Sequence, residues 1–401
     1  MKIIIVGNGL AGTMAAKTVR ELDPDAGIEI FAEEKHAYYP RPNLIEFLAG
    51  RLPYEKLFAF PEIWSSRQRI GLHFGERVSK IRPDERRIET SLGGVIPYDA
   101  LLLASGARAA VPPLKGSGLK GVFVLRTLDD TLAILDYLRT HAHVAVIGGG
   151  LLGLEIARAI RSRGADVSVL EFFDRLLPRQ LDPAAAGILK SEIEKTGISV
   201  RLGAVSREIL GPAEARGIRF ESGDEIKADL VVIAAGIKPD LELAKDAGLT
   251  VGRGVVVDDY MRTSRPEIFA AGDVVEHQGK VYGIIPASFD QARAAAHNML
   301  RMDMPYAGTA PSTTLKVAGL FVTSVGEVHP EGCGHEVIVR SVPEQGLYKK
   351  LVLKEGRLVG AIWMGMKKGA LEIGRLVALK KNVESRKGDL LDDSFDFTEM
   401  S

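Results

Sequence analysis

Two glycine-rich turns with similar surroundings contain the residues of this chain that are best suited to chemistry. The first reads Gly7-Asn8-Gly9-Leu10-Ala11-Gly12 and the second Gly148-Gly149-Gly150-Leu151-Leu152-Gly153, so both have the spacing GxGxxG. The first glycine of this spacing permits a tight turn, the second lets the backbone approach a phosphate, and the third allows close packing of helix and strand. Each turn therefore predicts a pyrophosphate site at a helix N-terminus.

A carboxylate follows each glycine turn at the distance that dinucleotide sites use. Glu33 and Glu34 follow the first turn, and Glu171 follows the second. An acid about 20 residues beyond the turn binds ribose hydroxyls, and the sequence leaves open whether Glu33 or Glu34 does so. Glu171 would repel a 2′-phosphate, and no arginine follows before Arg175. The second turn thus favours NADH over NADPH.

The elements around both turns have the strand, turn, helix, strand order of a Rossmann unit. Apolar runs at Lys2–Val6 and Val144–Ile147 predict buried parallel strands that lead into the turns. Helical patterns follow, and second strands are predicted at Ile28–Phe31 and Val167–Leu170. Two such units in 401 residues predict an α/β fold with two Rossmann-like nucleotide-binding domains.

Composition argues against several other classes of protein. Lys plus Arg and Asp plus Glu each number 52, so the zero formal charge gives no bulk attraction to nucleic acid or to an anionic membrane. No apolar run approaches the roughly 18 residues of a membrane span, and the first residues lack signal-peptide features, so a cytoplasmic location is expected. The single cysteine, Cys333, excludes an intramolecular disulfide, a CxxC pair and a cysteine-based zinc site.

Further segments make the chain resemble the FAD-dependent pyridine nucleotide-disulfide reductase superfamily. Residues 98–108 and 231–239 are similar to the motifs that close its FAD and NAD domains, and residues 268–274 to its second FAD motif. Within the superfamily the chain resembles NADH:rubredoxin reductases and the NADH-oxidising module of assimilatory nitrite reductases. The segments that carry this closer likeness are 38–44, 175–182, 282–287 and 313–319.

The resemblance implies FAD and NADH as cofactors, with the carboxylate of Asp273 on a ribitol hydroxyl of FAD. Arg41 lies between two prolines, which stiffen its loop, so its guanidinium suits the FAD pyrophosphate or ribitol. The residues expected to bind the two cofactors are Gly7, Gly9, Leu10, Ala11, Gly12, Glu33, Glu34, Arg41, Pro42, Val78, Ala104, Ser105, Gly106, Gly272, Asp273, Ile284, Gly148, Gly150, Leu151, Leu152, Gly153, Glu171 and Gly236.

Two residues are expected to be catalytic. The resemblance places an acid such as Glu155, on the first helical turn after the second glycine motif, near the nicotinamide and flavin; the alternative is a favourable charge at a helix N-terminus. Lys316 lies among small and apolar residues, where it would stabilise negative charge on the flavin. A surface lysine is an equally open interpretation of Lys316.

The missing cysteine indicates how electrons leave the flavin. In the superfamily, disulfide reductases need a cysteine pair near the flavin. Peroxidases, water-forming oxidases and coenzyme A disulfide reductases use one cysteine in the segment that corresponds to His36–Gly50, which here has none. Cys333 is expected in a turn or the core of the C-terminal part. The chain is therefore expected to reduce a one-electron carrier directly, a small acidic iron protein such as rubredoxin. The alternatives are an NADH oxidase that forms hydrogen peroxide and a redox-sensing NADH-binding flavoprotein.

The order of motifs predicts three domains. A discontinuous FAD domain takes residues 1–108 and 240–305, an NAD domain takes 109–239, and a smaller α/β C-terminal domain takes 306–401. The resemblance implies that this last domain covers the flavin and can form a homo-oligomer interface. Its elements are predicted as strands at Glu336–Arg340, Leu347–Leu353 and Leu358–Met364, followed by a helix at Ala370–Lys380.

The C-terminal domain is rich in basic residues and ends in an acidic tail. The basic residues predict either a solvated face or a docking rim for an acidic carrier. The tail after Asp389 is expected to be mobile. The basic residues are Lys349, Lys350, Lys367, Lys368, Lys380, Lys381, Arg386 and Lys387.

Overall fold

A computed structural model describes residues 1–61, 63–309, 312–317 and 319–397, with the backbone alone described for 312–317. Contacts between residues divide the chain into two compact units. The first unit contains residues 1–47, 52–108 and 237–309, and the second contains 48–51, 109–236 and the remainder from 310. The division into FAD, NAD and C-terminal domains stays a prediction.

The first unit is built on a five-stranded sheet in which every neighbouring pair is parallel. The first strand of the chain lies at its centre, and Ile3, Ile4 and Ile5 in that strand have no exposed surface. Such an unbroken apolar run is typical of a strand covered on both faces. The strand order is Ile268–Ala270, Ala100–Leu103, Lys2–Val6, Gly27–Ala32, Ile70–Phe74.

Helices and smaller strands complete the first unit. The helices Leu10–Leu22 and Ile285–Met299 pack against each other, with Ala15, Ala16 and Ala292 buried. The other helices are Pro42–Leu48, Tyr54–Lys56 (3₁₀), Trp64–Arg67, Pro83–Glu85 (3₁₀) and Glu242–Asp246. The other strands are Val78–Arg82, Arg87–Thr90, Val95–Pro97, Ala107–Ala109, Ile237–Pro239, Val255–Val257 and Val275–His277.

The second unit repeats the same parallel sheet with the glycine-turn strand again at its centre. Its order is Val122–Val124, Leu230–Ile233, His143–Ile147, Asp166–Leu170, Ile198–Arg201. The helices beside it are Leu128–Leu138, Leu151–Arg161 and Pro183–Lys195. A three-stranded antiparallel sheet follows from Ser206–Leu210, Gly217–Phe220 and Glu225–Lys227.

The last part of the second unit contains the third five-stranded sheet, which is antiparallel and is called here the third sheet. The helix Ala370–Ala378 packs on it. Two 3₁₀ turns, Pro343–Gln345 and Asp389–Leu391, complete this part. The strand order is Ser312–Val317, Leu320–Gly326, Arg357–Met364, Leu347–Lys354, His335–Val342. The predicted α/β class, with two Rossmann-like units and a smaller α/β C-terminal part, is confirmed.

The expectation that Lys349 and Lys350 belong to an exposed basic rim is wrong. Lys349 is 0% exposed and Lys350 is 7% exposed, because the strand Leu347–Lys354 is covered on both faces. The Nζ of Lys349 lies 2.6 Å from Asp393 and 4.2 Å from the centre of the Trp363 ring. Burial lowers the pKa of Lys349, and the hydrogen bond to Asp393 opposes that shift.

The described part of the acidic tail, residues 390–397, packs against the third sheet, contrary to the expectation of mobility. Leu390 has no exposed surface and Phe395 is 7% exposed, and both lie in one apolar cluster with Trp363. Asp393 binds Lys349 and also Arg340, whose guanidinium lies 2.9 Å from the carboxylate. The composition of the tail suggested mobility, but its apolar side chains and its partner cations hold it in place.

We predict that Phe395→Ala lowers the free energy of unfolding of the third sheet by about 3 kcal/mol, because a buried ring leaves a cavity. Denaturant unfolding followed by the fluorescence of Trp363, in a Trp64→Phe background, measures this, since the chain has two tryptophans. Leu379→Ala, at a side chain that is 73% exposed in the same unit, serves as the control. Equal stability of the two variants would mean that the tail is not packed.

Candidate nucleotide-binding sites

The first glycine turn joins the central strand of the first unit to its helix by close backbone contacts. Gly7 has φ +109°, and a Cβ atom there would lie 2.3 Å from the Ala104 carbonyl oxygen. A Cβ on Gly12 would lie 2.0 Å from the Gly7 carbonyl oxygen. By contrast, the space around the Cβ position of Gly9 is free of protein atoms within 4 Å. Gly7 and Gly12 thus close the turn, and Gly9 between them leaves room for a ligand.

The second glycine turn has the same geometry. Gly148 has φ +119°, and its Cβ would lie 2.5 Å from the Ala234 carbonyl oxygen, while a Cβ on Gly153 would lie 1.9 Å from the Gly148 carbonyl oxygen. Nothing lies within 4 Å of the corresponding position on Gly150. Gly236, after the closing strand, has φ +97° and equally open surroundings.

Both helices begin in a way that suits an anion. Gly9 and Gly150 are the N-cap residues, with extended backbones, and neither supplies a side-chain cap to the N–H groups of the first turn. Neither first turn contains an acid. The N–H groups and the helix dipole are thus available to a pyrophosphate, with Leu10, Ala11, Leu151 and Leu152 in the first turns.

The acid of the second unit is fixed against its glycine turn. Glu171 is 5% exposed and directly follows the strand Asp166–Leu170. Its carboxylate accepts hydrogen bonds from the N–H groups of Gly149, at 2.5 Å, and Phe173, at 2.9 Å. The carboxylate therefore has a defined position beside the turn.

The two acids of the first unit have different surroundings. The strand ends at Ala32, and the Glu33 side chain after it is 60% exposed, with Arg108 at 3.6 Å. Glu34 accepts hydrogen bonds from Arg41, at 2.7 Å, and from the hydroxyl group of Tyr39. Arg41 is thus held by Glu34 and Tyr39, and the choice of ribose ligand between the two acids stays a prediction.

The second FAD motif lies at the same edge of the sheet as the first turn. The Ala271 N–H donates to the Leu103 carbonyl, and Gly272 has φ +88°, with its N–H 2.9 Å from the Oε1 of Gln291. Asp273 follows and is half-buried. Gln291 is 1% exposed and was absent from the residues expected from sequence. Its only sequence signal is a polar residue among the alanines of the helix Ile285–Met299.

The remaining expected FAD residues lie on several elements of the first unit. Ala104 is buried, and the Ser105 hydroxyl lies 3.4 Å from the Asp240 carbonyl. Gly106 has φ +73°. Val78, 3% exposed, begins a strand; Pro42 begins the helix Pro42–Leu48; Ile284 is the N-cap of the helix Ile285–Met299.

The two residues expected to be catalytic lie on neighbouring elements of the second unit. Glu155 is half-buried and is the fifth residue of the helix Leu151–Arg161, not a member of its first turn, because the helix begins within the glycine motif. This helix packs against the strand Ser312–Val317, which carries Lys316. The Lys316 side chain lies outside the described part of the chain, so its role stays a prediction.

The turns fit dinucleotides on direct structural grounds. The space at Gly9 and Gly150 is open where a backbone must approach a pyrophosphate. Two turns of this kind, each on its own parallel sheet, are typical of proteins that bind two dinucleotides.

Comparison with known proteins identifies the family. Residues 1–298 match the family described as pyridine nucleotide-disulphide oxidoreductase, and residues 311–381 match the rubredoxin NAD+ reductase C-terminal domain. The chain belongs to the pyridine nucleotide-disulphide oxidoreductase family. It is therefore an oxidoreductase by family, with FAD and a pyridine nucleotide as its cofactors. Among the described residues, the helices are too short or too polar to cross a lipid bilayer.

Some relatives of this chain have about its own length, and others are about twice as long. The chain is 31% identical to an NADH-rubredoxin oxidoreductase of Clostridium acetobutylicum over 386 residues, covering 96% of this chain and 95% of the relative. It is 37% identical to a nitrite reductase [NAD(P)H] of Bacillus subtilis over 366 residues, covering 91% of this chain and 45% of that protein. The chain thus spans about half the length of the nitrite reductases that it matches.

A solved structure has the same fold over the whole chain. It is a covalent putidaredoxin reductase–putidaredoxin complex, whose matching chain gives a TM-score of 0.89 at 26% identity, with 100% of this chain and 97% of the other covered.

We predict that Gly9→Ala weakens FAD binding and Gly150→Ala weakens NADH binding, each by about tenfold or more, with the other cofactor unaffected. The new methyl groups meet no protein atom, so only a ligand that fills the space can oppose them. Flavin fluorescence with the apoprotein gives the FAD dissociation constant, and the KM for NADH tests the second turn.

The control for these two variants is Gly187→Ala, another glycine with open surroundings, inside the helix Pro183–Lys195. It should leave both affinities unchanged. Unchanged binding in Gly9→Ala or Gly150→Ala would remove that turn from the cofactor site.

Proposed function

We propose that this chain oxidises NADH with the help of bound FAD and passes the electrons singly to a small acidic iron protein such as rubredoxin, without a redox-active cysteine. The observation that carries this proposal is the combination of two dinucleotide turns with a single cysteine. That residue, Cys333, is exposed and lies between the strands Leu320–Gly326 and His335–Val342 of the third sheet. One cysteine cannot form the intramolecular pair that disulfide chemistry requires.

Bound FAD supplies the ability to take a two-electron hydride and release single electrons. The chain supplies positions and charges. Glu171, fixed by two backbone N–H groups, accepts the ribose hydroxyls of NADH and opposes a 2′-phosphate. Gln291 holds the Gly272 N–H and so orients the turn that carries Asp273. Glu155 and Lys316 act near the reacting rings.

The relatives named above as reductases of rubredoxin and putidaredoxin support a carrier protein as acceptor, and we extend that role to this chain. A carrier that docks on the C-terminal part would meet Lys367, Lys368, Lys380 and Lys381, which are all exposed. Opposite surface charges raise the rate of association and are screened over about 8–10 Å at physiological salt. Fast oxygen consumption without a carrier would instead support the oxidase alternative.

We predict that Glu171→Gln narrows the preference for NADH over NADPH by roughly 1–3 kcal/mol, the scale of a hydrogen bond to a charged group. The ratio of kcat/KM for the two nucleotides measures it. Asp174→Asn serves as the control, because that neighbouring side chain is 80% exposed and should leave the ratio unchanged. Equal use of both nucleotides by the unmodified protein would contradict the proposed role of Glu171.

We predict that Cys333→Ser leaves both flavin reduction by NADH and carrier reduction intact, and stopped-flow mixing separates the two half-reactions. Lys367→Glu combined with Lys381→Glu should slow carrier reduction alone, and rising salt should do the same. Replacing Lys227 and Lys245, both exposed, with glutamate controls for the change in net charge.

Loss of turnover in Cys333→Ser with flavin still reducible would disprove the thiol-free reaction. If neither the Lys367 and Lys381 replacements nor salt changes the rate of carrier reduction, the docking surface lies elsewhere and the thiol-free reaction stands.

A further inference from the structure

The segment Arg175–Asp182, called here the strap, begins just beyond Glu171 and folds back over the second glycine turn. The Leu177 N–H donates to the Gly149 carbonyl at 3.2 Å, and a Cβ on Gly149 would lie 2.6 Å from the Cδ2 of Leu176. Both leucines are 0% exposed, and Leu177 has φ +48°, an uncommon conformation for this residue. Gly149 is therefore held at its N–H by Glu171 and at its carbonyl by the strap.

The other end of the strap is attached to the third sheet. The hydroxyl of Tyr348 and the Nζ of Lys350 donate to the Asp182 carboxylate at 2.6 and 3.0 Å, and the Ser324 hydroxyl donates to the Gln180 carbonyl at 2.8 Å. Asp182 also caps the helix Pro183–Lys195 through the Ala185 N–H. These contacts are shielded from water, since the Asp182 side chain is 14% exposed and the Lys350 side chain 9%.

Strand geometry explains why one face of the third sheet makes these contacts. Side chains alternate between the faces of a strand, so Tyr348 and Lys350 share one face and Lys349 lies on the other. Ser324 and Lys350 are both in register with Ile362, which puts them in one row across three strands. The strap is thus attached to one face, and the acidic tail to the opposite face.

Charge and burial favour an ionised Asp182 and a neutral Tyr348. Burial raises the pKa of Tyr348, and the adjacent Asp182 carboxylate raises it further. Burial alone would raise the pKa of Asp182, but hydrogen bonds from Tyr348, Ala185 and Lys350 outweigh it, so the pKa lies below its usual value. The attachment is a charge-assisted network, which is strong and directional.

We propose that Asp182 is a positioning residue for NADH: through the strap, it makes the nucleotide affinity of the second glycine turn depend on the third sheet. The proposal rests on the NADH site assigned above. If the attachment is broken, the strap no longer fixes the Gly149 carbonyl, and the turn loses its defined geometry. Coupling of this kind is reciprocal, so bound nucleotide also stabilises the third sheet.

Adjacent lysines of one strand provide a matched test. Lys350→Met removes the partner of Asp182, whereas Lys349→Met removes an equally buried lysine that binds the tail. We expect the KM for NADH to rise about fivefold or more in Lys350→Met, the lower end of typical coupling, with kcat changed little and FAD content unchanged. Lys349→Met should leave the KM for NADH unchanged.

Hydrogen exchange provides a readout that general destabilisation does not reproduce. In the unmodified protein, we expect saturating NAD+ to slow hydrogen exchange in the strand Leu347–Lys354. In Lys350→Met, peptides that cover the strap should exchange faster, and NAD+ should no longer slow exchange in that strand. In Lys349→Met, the strap should exchange as slowly as in the unmodified protein, and NAD+ should still slow exchange in the strand Leu347–Lys354. If Lys350→Met fails to fold, Tyr348→Phe, which deletes a single hydroxyl group, decides the question by the same measurements.

Equal changes in the two lysine variants, or an unchanged KM in Lys350→Met, would overturn the proposal. These outcomes differ from failure of the proposed function, which would appear in the unmodified protein as absent flavin reduction by NADH. A rise in the KM for NADH confined to the variants of the Asp182 attachment would support the coupling.

Discussion

The contact between the first and third glycines of each GxGxxG turn is the constraint on which both nucleotide sites depend. A Cβ on Gly12 or Gly153 would lie 2.0 or 1.9 Å from the carbonyl oxygen of Gly7 or Gly148, a distance that no side chain tolerates. This contact fixes each helix N-terminus at the carboxyl end of the central strand. Because neighbouring strands lie on both sides of that strand, the crevice for a dinucleotide follows from the same geometry.

Sequence predicted the features that depend on local rules. Glycine spacing, apolar runs and the acid after the second strand identified both parallel units, and the observed strands differ from the predicted ones by a residue or so, as in Gly27–Ala32 against Ile28–Phe31. Glu171 was found for the same reason, since it directly follows its strand. The residue type and its position were enough, because the physical requirement lies within one strand–turn–helix segment.

Features that depend on distant partners were missed or misjudged. Gln291 reaches Gly272 from a helix 19 residues away, and its neighbours in sequence give no sign of that contact. Lys349 and Lys350 resembled a surface patch because two adjacent lysines are usually exposed. Their partners, Asp393 and Asp182, are 44 and 168 residues away, so charge density along the sequence could not indicate burial.

The two buried lysines also help to specify how the third sheet assembles. Taking an ion pair out of water costs about as much as the pair regains, so such pairs contribute little to net stability but penalise arrangements that separate them. Sliding the strand Leu347–Lys354 by one residue would exchange its faces, directing Lys350 toward the tail and Lys349 toward the strap. Each lysine would then face surroundings built for its neighbour, and Tyr348 would lose the Asp182 carboxylate. The register that keeps the tail packed is therefore the same register that attaches the strap to the nucleotide turn.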